Sequence, residues 1–111
     1  MFDFLKSSSN YQNLTPAQFA EGLREPGAML LDVRRPDEFA AGHLPGALNL
    51  DVTAPDFAQR VAALDKTQPT YVYCRSGARS ASAAGQLGSA GFAHVRNLLG
   101  GVLDWPEPLV R

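Results

Sequence analysis

The residues best suited to chemistry lie around the single cysteine of the chain, Cys74. Four strand-favouring residues, 70–73, come directly before it, and an alanine-rich helical pattern begins soon after it. The loop between them consists of Arg75, Ser76, Gly77, Ala78 and Arg79. A tight loop between a strand and the start of a helix points backbone N–H groups at an anion. The sequence therefore predicts a loop that binds an anion or stabilises a thiolate.

The composition of this loop favours an ionised cysteine. The backbone N–H groups of residues 75–79 can converge on the Cys74 sulfur, and Gly77 permits a positive φ where the chain must curl. The helix start adds partial positive charge, and the two loop arginines add full charges. Cysteines in comparable settings have pKa values roughly one to five units below the free value of about 8.5. We therefore expect Cys74 to be a nucleophilic thiolate rather than an inert apolar side chain.

A single cysteine also limits what the chain can do alone. It excludes an intramolecular disulfide and a cysteine-based metal cluster. His43 and His94 are far apart in the sequence, and no phosphate loop of the Gly-Lys-Ser/Thr type is present. We therefore expect no metal and no organic cofactor. Whatever Cys74 picks up must be passed to another molecule.

The composition narrows the partners and the location. With 111 residues the chain is long enough for one α/β core, and its net charge of -1 does not favour a nucleic-acid or anionic membrane surface. No apolar stretch approaches the roughly 18 residues of a membrane span. The apolar run at the N-terminus is too short for a signal peptide. These features predict a soluble cytoplasmic protein with no nucleic-acid or membrane partner, in a compartment that keeps its thiol reduced.

Strand and helix patterns alternate along the chain and must position the loop. Strands are predicted at 11–14, 28–33, 47–50, 70–73 and 93–97, and helices at 16–23, 37–41, 55–64, 79–90 and 102–105. Such alternation predicts a parallel sheet with helices on both faces, whose ligands bind at the carboxyl edge. Asp32 and Cys74 both end strands, so we expect them to share that edge. Residues 1–10 are predicted to be a lead-in to one domain of residues 11–111.

Several polar residues near the loop have two interpretations each. Asp32 either pairs with an arginine and fixes the loop shape, or caps a turn while Arg34 is a surface charge. Ser76 and Ser80 can donate to a bound anion, but Ser80 can equally satisfy backbone groups of the first helical turn. His43 titrates near neutrality, yet its place in a Gly-His-Leu-Pro-Gly turn favours a structural hydrogen bond.

Three segments taken together resemble rhodanese-homology domains. They are Cys-Arg-Ser-Gly-Ala-Arg-Ser at 74–80, Leu-Asp-Val-Arg-Arg-Pro-Asp-Glu-Phe at 31–39 with Gly-His-Leu-Pro-Gly-Ala-Leu-Asn at 42–49, and Val-Arg-Asn-Leu-Leu-Gly-Gly-Val at 95–102 with Trp105. They occur in the family's order and span the chain from about residue 11 to 105. The resemblance implies a three-layer α/β/α fold with a five-stranded parallel sheet. It also implies sulfur transfer through a persulfide on the cysteine.

The resemblance implies a role for each site residue. Cys74 would take the outer sulfur of a donor such as thiosulfate, and a thiophilic acceptor would remove it: cyanide in an assay, or a cellular or protein thiol. The donor would be bound by Arg75, Ser76, Gly77, Ala78 and Arg79, and the loop would be supported by Asp32, Arg34 and Ser80. Whether the two arginines bind the donor through their side chains, or only through the backbone, stays open.

Loop length separates this reaction from related ones. Four residues lie between Cys74 and Arg79, one fewer than in the related dual-specificity phosphatases. The smaller ring suits a persulfide sulfur better than a phosphoryl group. Arsenate reduction is also disfavoured, because a lone cysteine would depend wholly on external thiols. The main alternative is a sulfur-relay module that carries persulfide between protein partners and uses free thiosulfate poorly.

Overall fold

Five parallel strands form the centre of the molecule. The computed structural model describes residues 10–111, so the predicted lead-in lies outside the described residues except for Asn10. The strands are β1 (Gln12–Leu14), β2 (Met29–Asp32), β3 (Leu48–Asn49), β4 (Thr70–Tyr73) and β5 (Val95–Leu98). Their order across the sheet is β1-β5-β4-β2-β3, and every pairing is parallel. The predicted five-stranded parallel sheet is confirmed, with β1 at an edge.

The helices connect these strands. They are α1 (Pro16–Gly22), α2 (Pro36–Ala41), α3 (Phe57–Ala62), α4 (Ala78–Ser89) and a final 3-10 helix (Gly101–Asp104). Thr15 caps α1 as the sequence predicts, because its side chain accepts from the Gln18 N–H. The observed α3 is shorter than the predicted 55–64, since the chain before it is held in turns. In one of them the Thr53 N–H donates to the Asp51 carboxylate over 2.8 Å.

Each face of the sheet buries its own apolar cluster, which gives the predicted three layers. Along β4, Val72 points to one face while Tyr71 and Tyr73 point to the other. The Val72 face packs against α3 and α4, and the tyrosine face packs against α1 and the residues around Trp105. Strand β4 is therefore buried on both faces, which is typical of a central strand in a parallel sheet.

The carboxyl edge of the sheet brings the predicted site residues together. Asp32 pairs in register with Tyr73, the residue directly before Cys74. The expectation that Asp32 and Cys74 share one edge is confirmed. Strand β5 lies on the other side of β4, so residues 98–101 leave the sheet at the same edge. Within residues 10–111, every helix is too short or too polar to cross a membrane.

Candidate active site

The loop after β4 curls around the sulfur of Cys74. The cysteine is 1% exposed, and the backbone N–H of Gly77 donates to its Sγ over 3.1 Å. Gly77 has a φ of 111°, in the left-handed region that glycine enters without steric cost. Gly77 therefore adopts the positive φ that the sequence permits at this position. This turn lets α4 begin at Ala78, one residue earlier than predicted.

Two opposing effects act on the thiol. Burial alone would raise the pKa of Cys74, because it disfavours the charged form. Hydrogen bonds from the Ser80 hydroxyl and from the N–H groups of Ser80, Gly77 and Ser76 outweigh burial, so the pKa of Cys74 is lowered. The Ser80 hydroxyl has a second acceptor in reach, the carbonyl oxygen of Gly77 at 3.2 Å. The single hydroxyl proton donates to one of these acceptors at a time, so the two interpretations of Ser80 stay alternatives. The hydrogen-bond donors of the loop together favour a thiolate.

The 3-10 helix supports the loop from the side of β5. Its Val102 N–H donates to the Cys74 carbonyl over 3.0 Å, and the Leu103 N–H donates to the Arg75 carbonyl over 3.1 Å. At Gly101 a Cβ atom would overlap both of these carbonyl oxygens. Sequence reasoning assigned no role to Gly100 and Gly101. The available signal was a glycine pair at the start of a short helix near the carboxyl edge.

A buried polar network lies beneath the loop. Asp32 is 0% and Arg34 5% exposed, and the guanidinium reaches both carboxylate oxygens, with the shortest contact 2.7 Å. The Tyr73 hydroxyl donates to the same carboxylate over 2.6 Å and accepts from the Leu44 N–H. Burial and the Asp32 charge hold the pKa of Tyr73 above its usual range. The alternative that Arg34 is a surface charge is therefore wrong, since it pairs with Asp32.

Arg79, the second arginine of the loop, forms an ion pair with Glu38. Arg79 donates to both carboxylate oxygens of Glu38, over 2.7 and 3.0 Å, while the Arg35 N–H donates to one of them over 3.1 Å. The hydrogen bonds from Arg79 lower the pKa of Glu38 to about 2. Sequence reasoning did not select Glu38 as a site residue. The available signal was an acidic side chain in the first turn of a helix that starts near the carboxyl edge.

The other predicted site residues lie at the surface of the loop. Arg75 and Ser76 are exposed, and no carboxylate within residues 10–111 pairs with Arg75. His43 Nδ1 lies 2.9 Å from the Phe39 carbonyl oxygen, and its ring stacks on Phe39, in agreement with a structural role. In the described part of the chain, no three His, Cys, Asp or Glu residues cluster as metal ligands.

Fold and site together define a class: an α/β protein that holds one buried cysteine, whose sulfur accepts a backbone N–H, at the carboxyl edge of a parallel sheet. Residues 15–107 match the rhodanese-like domain family. The chain therefore belongs to the rhodanese-like family, and the resemblance found in the sequence is confirmed.

Individual relatives agree with this placement. The chain is 39% identical over 98 residues to the thiosulfate sulfurtransferase GlpE of Stutzerimonas stutzeri, covering 87% of this chain and 86% of that protein. It is 42% identical over 91 residues to GlpE of Pseudomonas fluorescens, covering 81% of each chain. A rhodanese-related protein of Thermoplasma volcanium superimposes with a TM-score of 0.78 at 26% identity, over 90% of this chain and 98% of that structure.

Proposed function

We propose that this chain is a sulfurtransferase that moves a sulfane sulfur from a donor such as thiosulfate to a thiophilic acceptor through a persulfide on Cys74. The observation that carries the proposal is the buried cysteine whose sulfur accepts the Gly77 N–H while its pKa is lowered. The relatives named thiosulfate sulfurtransferase, at about two-fifths identity over most of both chains, support the same reaction class.

The reaction has two displacement steps. The Cys74 thiolate attacks the outer sulfur of thiosulfate, so a new S–S bond forms at Cys74 while the S–S bond of the donor breaks. The electron pair of the broken bond leaves with sulfite. The terminal persulfide sulfur carries the negative charge, which the surrounding N–H groups stabilise without reorganising. Cyanide or a thiolate then attacks that sulfur, and Cys74 leaves as the thiolate. Neither step needs a general base once the thiol is ionised.

The loop binds the donor through groups of two kinds. Backbone N–H groups of Ser76, Gly77 and Ser80 donate to the Cys74 sulfur, and we propose that the N–H of Ala78 joins them when a donor binds. The side chain of Arg75 is exposed and free of any described carboxylate, so it binds the anionic end of the donor. Arg79 contributes through its charge, which Glu38 partly neutralises.

Beneath the loop, the remaining predicted residues act on its shape. Asp32 and Arg34 hold Tyr73, and through it the end of β4, while Ser80 donates to the Cys74 sulfur. We assign these three residues a supporting role, because each reaches the cysteine through a neighbour or a hydrogen bond.

The acceptor comes from outside the chain, because no second cysteine is present to take the sulfur. A cellular thiol or a thiol-bearing protein fills this role. The reducing cytoplasm suits such a cycle, since its thiols can act as acceptors and it keeps Cys74 from forming disulfides between transfers.

Mass spectrometry tests the proposal directly. Incubation of the intact protein with thiosulfate should add one sulfur atom, and Cys74→Ser should add none. Thiocyanate production with cyanide then separates an enzyme from a relay: steady turnover supports the enzyme, whereas a stable persulfide with negligible turnover supports the relay. No mass gain in the unmodified chain would remove the proposed reaction.

A further inference from the structure

A negative charge lies at the rim of a loop proposed to bind anions. Glu38 pairs with Arg79 through both carboxylate oxygens, and the two side chains are only 18% and 31% exposed. The charge of one of the two arginines in the loop is therefore partly neutralised before any donor arrives. Sulfur transfer from an anion does not require such a carboxylate, and its presence calls for an explanation.

The pair is held in place rather than formed by two free side chains. Glu38 is the third residue of α2, where it also accepts the N–H of Arg35 as part of the helix cap. The neighbouring pair between Arg35 and Asp37 differs sharply, because its side chains are 60% and 69% exposed. Only the Glu38 pair reaches from α2 to the active-site helix α4.

The Arg79 charge also acts on the reactive sulfur. The hydrogen bonds to Glu38 contribute most to the raised pKa of Arg79, and the negative charge of Cys74 contributes as well. The guanidinium therefore lies within electrostatic reach of Cys74. Any anion that reaches the sulfur enters the combined field of Arg79 and Glu38.

We propose that Glu38 is a specificity-determining residue that holds Arg79 in an ion pair and thereby weakens the preference of the site for more highly charged donors. This inference rests on the proposed function only for the identity of those donors. With Glu38 ionised, Arg79 adds little to the preference of the rim for a dianion over a monoanion of similar size. Without its charge, we expect the site to favour each added negative charge by roughly fivefold.

Glu38→Gln tests this with little change in shape. Glutamine can keep the helix cap, because it also accepts the N–H at this position. It can still accept one hydrogen bond from Arg79, so the main loss is one charge. Asp37→Asn is the matched control: it removes the same charge one residue earlier on α2, from a pair that does not include Arg79.

The first measurement does not depend on sulfur transfer. Cys74 is alkylated by iodoacetate, which is an anion, and by iodoacetamide, which is neutral. The rate with iodoacetate divided by the rate with iodoacetamide is compared between variants. Both reagents need the same thiolate, so a change in its pKa cancels in the ratio. We expect Glu38→Gln to raise the ratio roughly fivefold and Asp37→Asn to change it by less than about twofold.

A second variant guards against a purely structural effect. Glu38→Asp keeps the charge on a shorter side chain, so its ratio should stay within about twofold of the parent chain. An unchanged ratio in Glu38→Gln overturns the inference. Equal rises in Glu38→Gln and Asp37→Asn also overturn it, because they would reflect total charge rather than the Arg79 pair.

The donors themselves provide the final comparison. Thiosulfate carries two negative charges and methanethiosulfonate carries one, while both offer a terminal sulfane sulfur to Cys74. In Glu38→Gln we expect KM for thiosulfate to fall about fivefold relative to KM for methanethiosulfonate, with kcat for each donor changing less. A fivefold rise in the alkylation ratio with no thiosulfate turnover in any variant would reject the proposed function and keep the role of Glu38. Normal turnover with unchanged alkylation and KM ratios would do the reverse.

Discussion

At the scale of single residues, the state of Cys74 results from two opposing contributions. Burial to 1% exposure disfavours the thiolate, whereas the donors of Ser76, Gly77 and Ser80 stabilise it. The hydrogen-bond donors outweigh burial, so the pKa of Cys74 is lowered although the side chain is buried. In the proposed reaction, the same hydrogen-bond donors remain in place when the charge moves to the outer sulfur of a persulfide. One set of groups would therefore stabilise both the nucleophile and the proposed intermediate.

Ser80→Ala tests the largest favourable contribution. Removing the hydroxyl leaves burial opposed only by backbone donors, so we expect the pKa of Cys74 to rise and the reactivity at neutral pH to fall. The measurement is the rate of alkylation by iodoacetamide as a function of pH. Ser82→Ala is the control, because Ser82 lies on the same helix but is exposed. If the midpoint of the pH profile is unchanged in Ser80→Ala, Ser80 acts only on the backbone at the start of α4 and not on the Cys74 thiol.

The local sequence was enough to predict how some of these residues meet in the site, but not enough for others. Cys74, Gly77 and Ser80 lie in one short segment, so their meeting follows from a single turn. Glu38 lies 41 residues before Arg79, and its contact depends on how α2 and α4 sit on the sheet. The sequence places Glu38 in a first helical turn but carries no local sign of its partner.

At the scale of elements, the 3-10 helix shapes the loop as much as the loop's own residues do. Its first N–H groups bind the carbonyls of Cys74 and Arg75, which leaves the N–H groups of the loop free to face the sulfur. Gly101 makes this contact possible, because its lack of a Cβ lets two backbone segments meet. A glycine pair alone predicts a turn, and only the fold shows which backbone it approaches.

Gly101→Ala should therefore disturb the loop. Gly101 has a φ of +59° and Gly46 a φ of +85°, so alanine is strained at both, by about 1–2 kcal/mol. Only at Gly101 would the new Cβ also overlap the carbonyls of Cys74 and Arg75, since nothing lies within 4 Å of the Cβ position at Gly46. We expect a larger fall in Tm for Gly101→Ala than for Gly46→Ala.

The pH dependence of alkylation distinguishes displacement of the loop from a general loss of stability. If the overlap displaces the loop, Gly101→Ala should raise the pKa of Cys74, whereas Gly46→Ala should leave it unchanged. Equal losses of Tm with no change in either profile would show that the loop tolerates the added methyl group.

At the scale of the whole molecule, three distant segments meet at one end of the sheet. Alternating strand and helix patterns predicted the parallel sheet, and they placed Asp32 and Cys74 at its carboxyl edge. The strand order β1-β5-β4-β2-β3 is not encoded in any single segment. This order puts β2 and β5 on either side of β4, so the Asp32 network and the 3-10 helix hold the loop from both sides.

The link between α2 and α4 should make the stability of the whole molecule depend on pH in the acid range. Glu38 has a pKa of about 2 in the folded chain against an ordinary value of 4.5. A carboxyl whose pKa is lowered by folding contributes stability above its unfolded pKa and loses it as pH falls through the folded pKa. The parent chain should therefore exceed Glu38→Gln in Tm at pH 7, by roughly 4 °C for a contribution of about 1 kcal/mol. That difference should shrink from about pH 4.5 downward and vanish near pH 2.

Thermal unfolding of both chains across this range is the measurement. Asp37→Asn should show a smaller difference at pH 7, because its pair with Arg35 is largely exposed. A gap between the parent and Glu38→Gln that stays constant from pH 6 to 2 would instead assign it to packing lost with the substitution, since packing does not titrate.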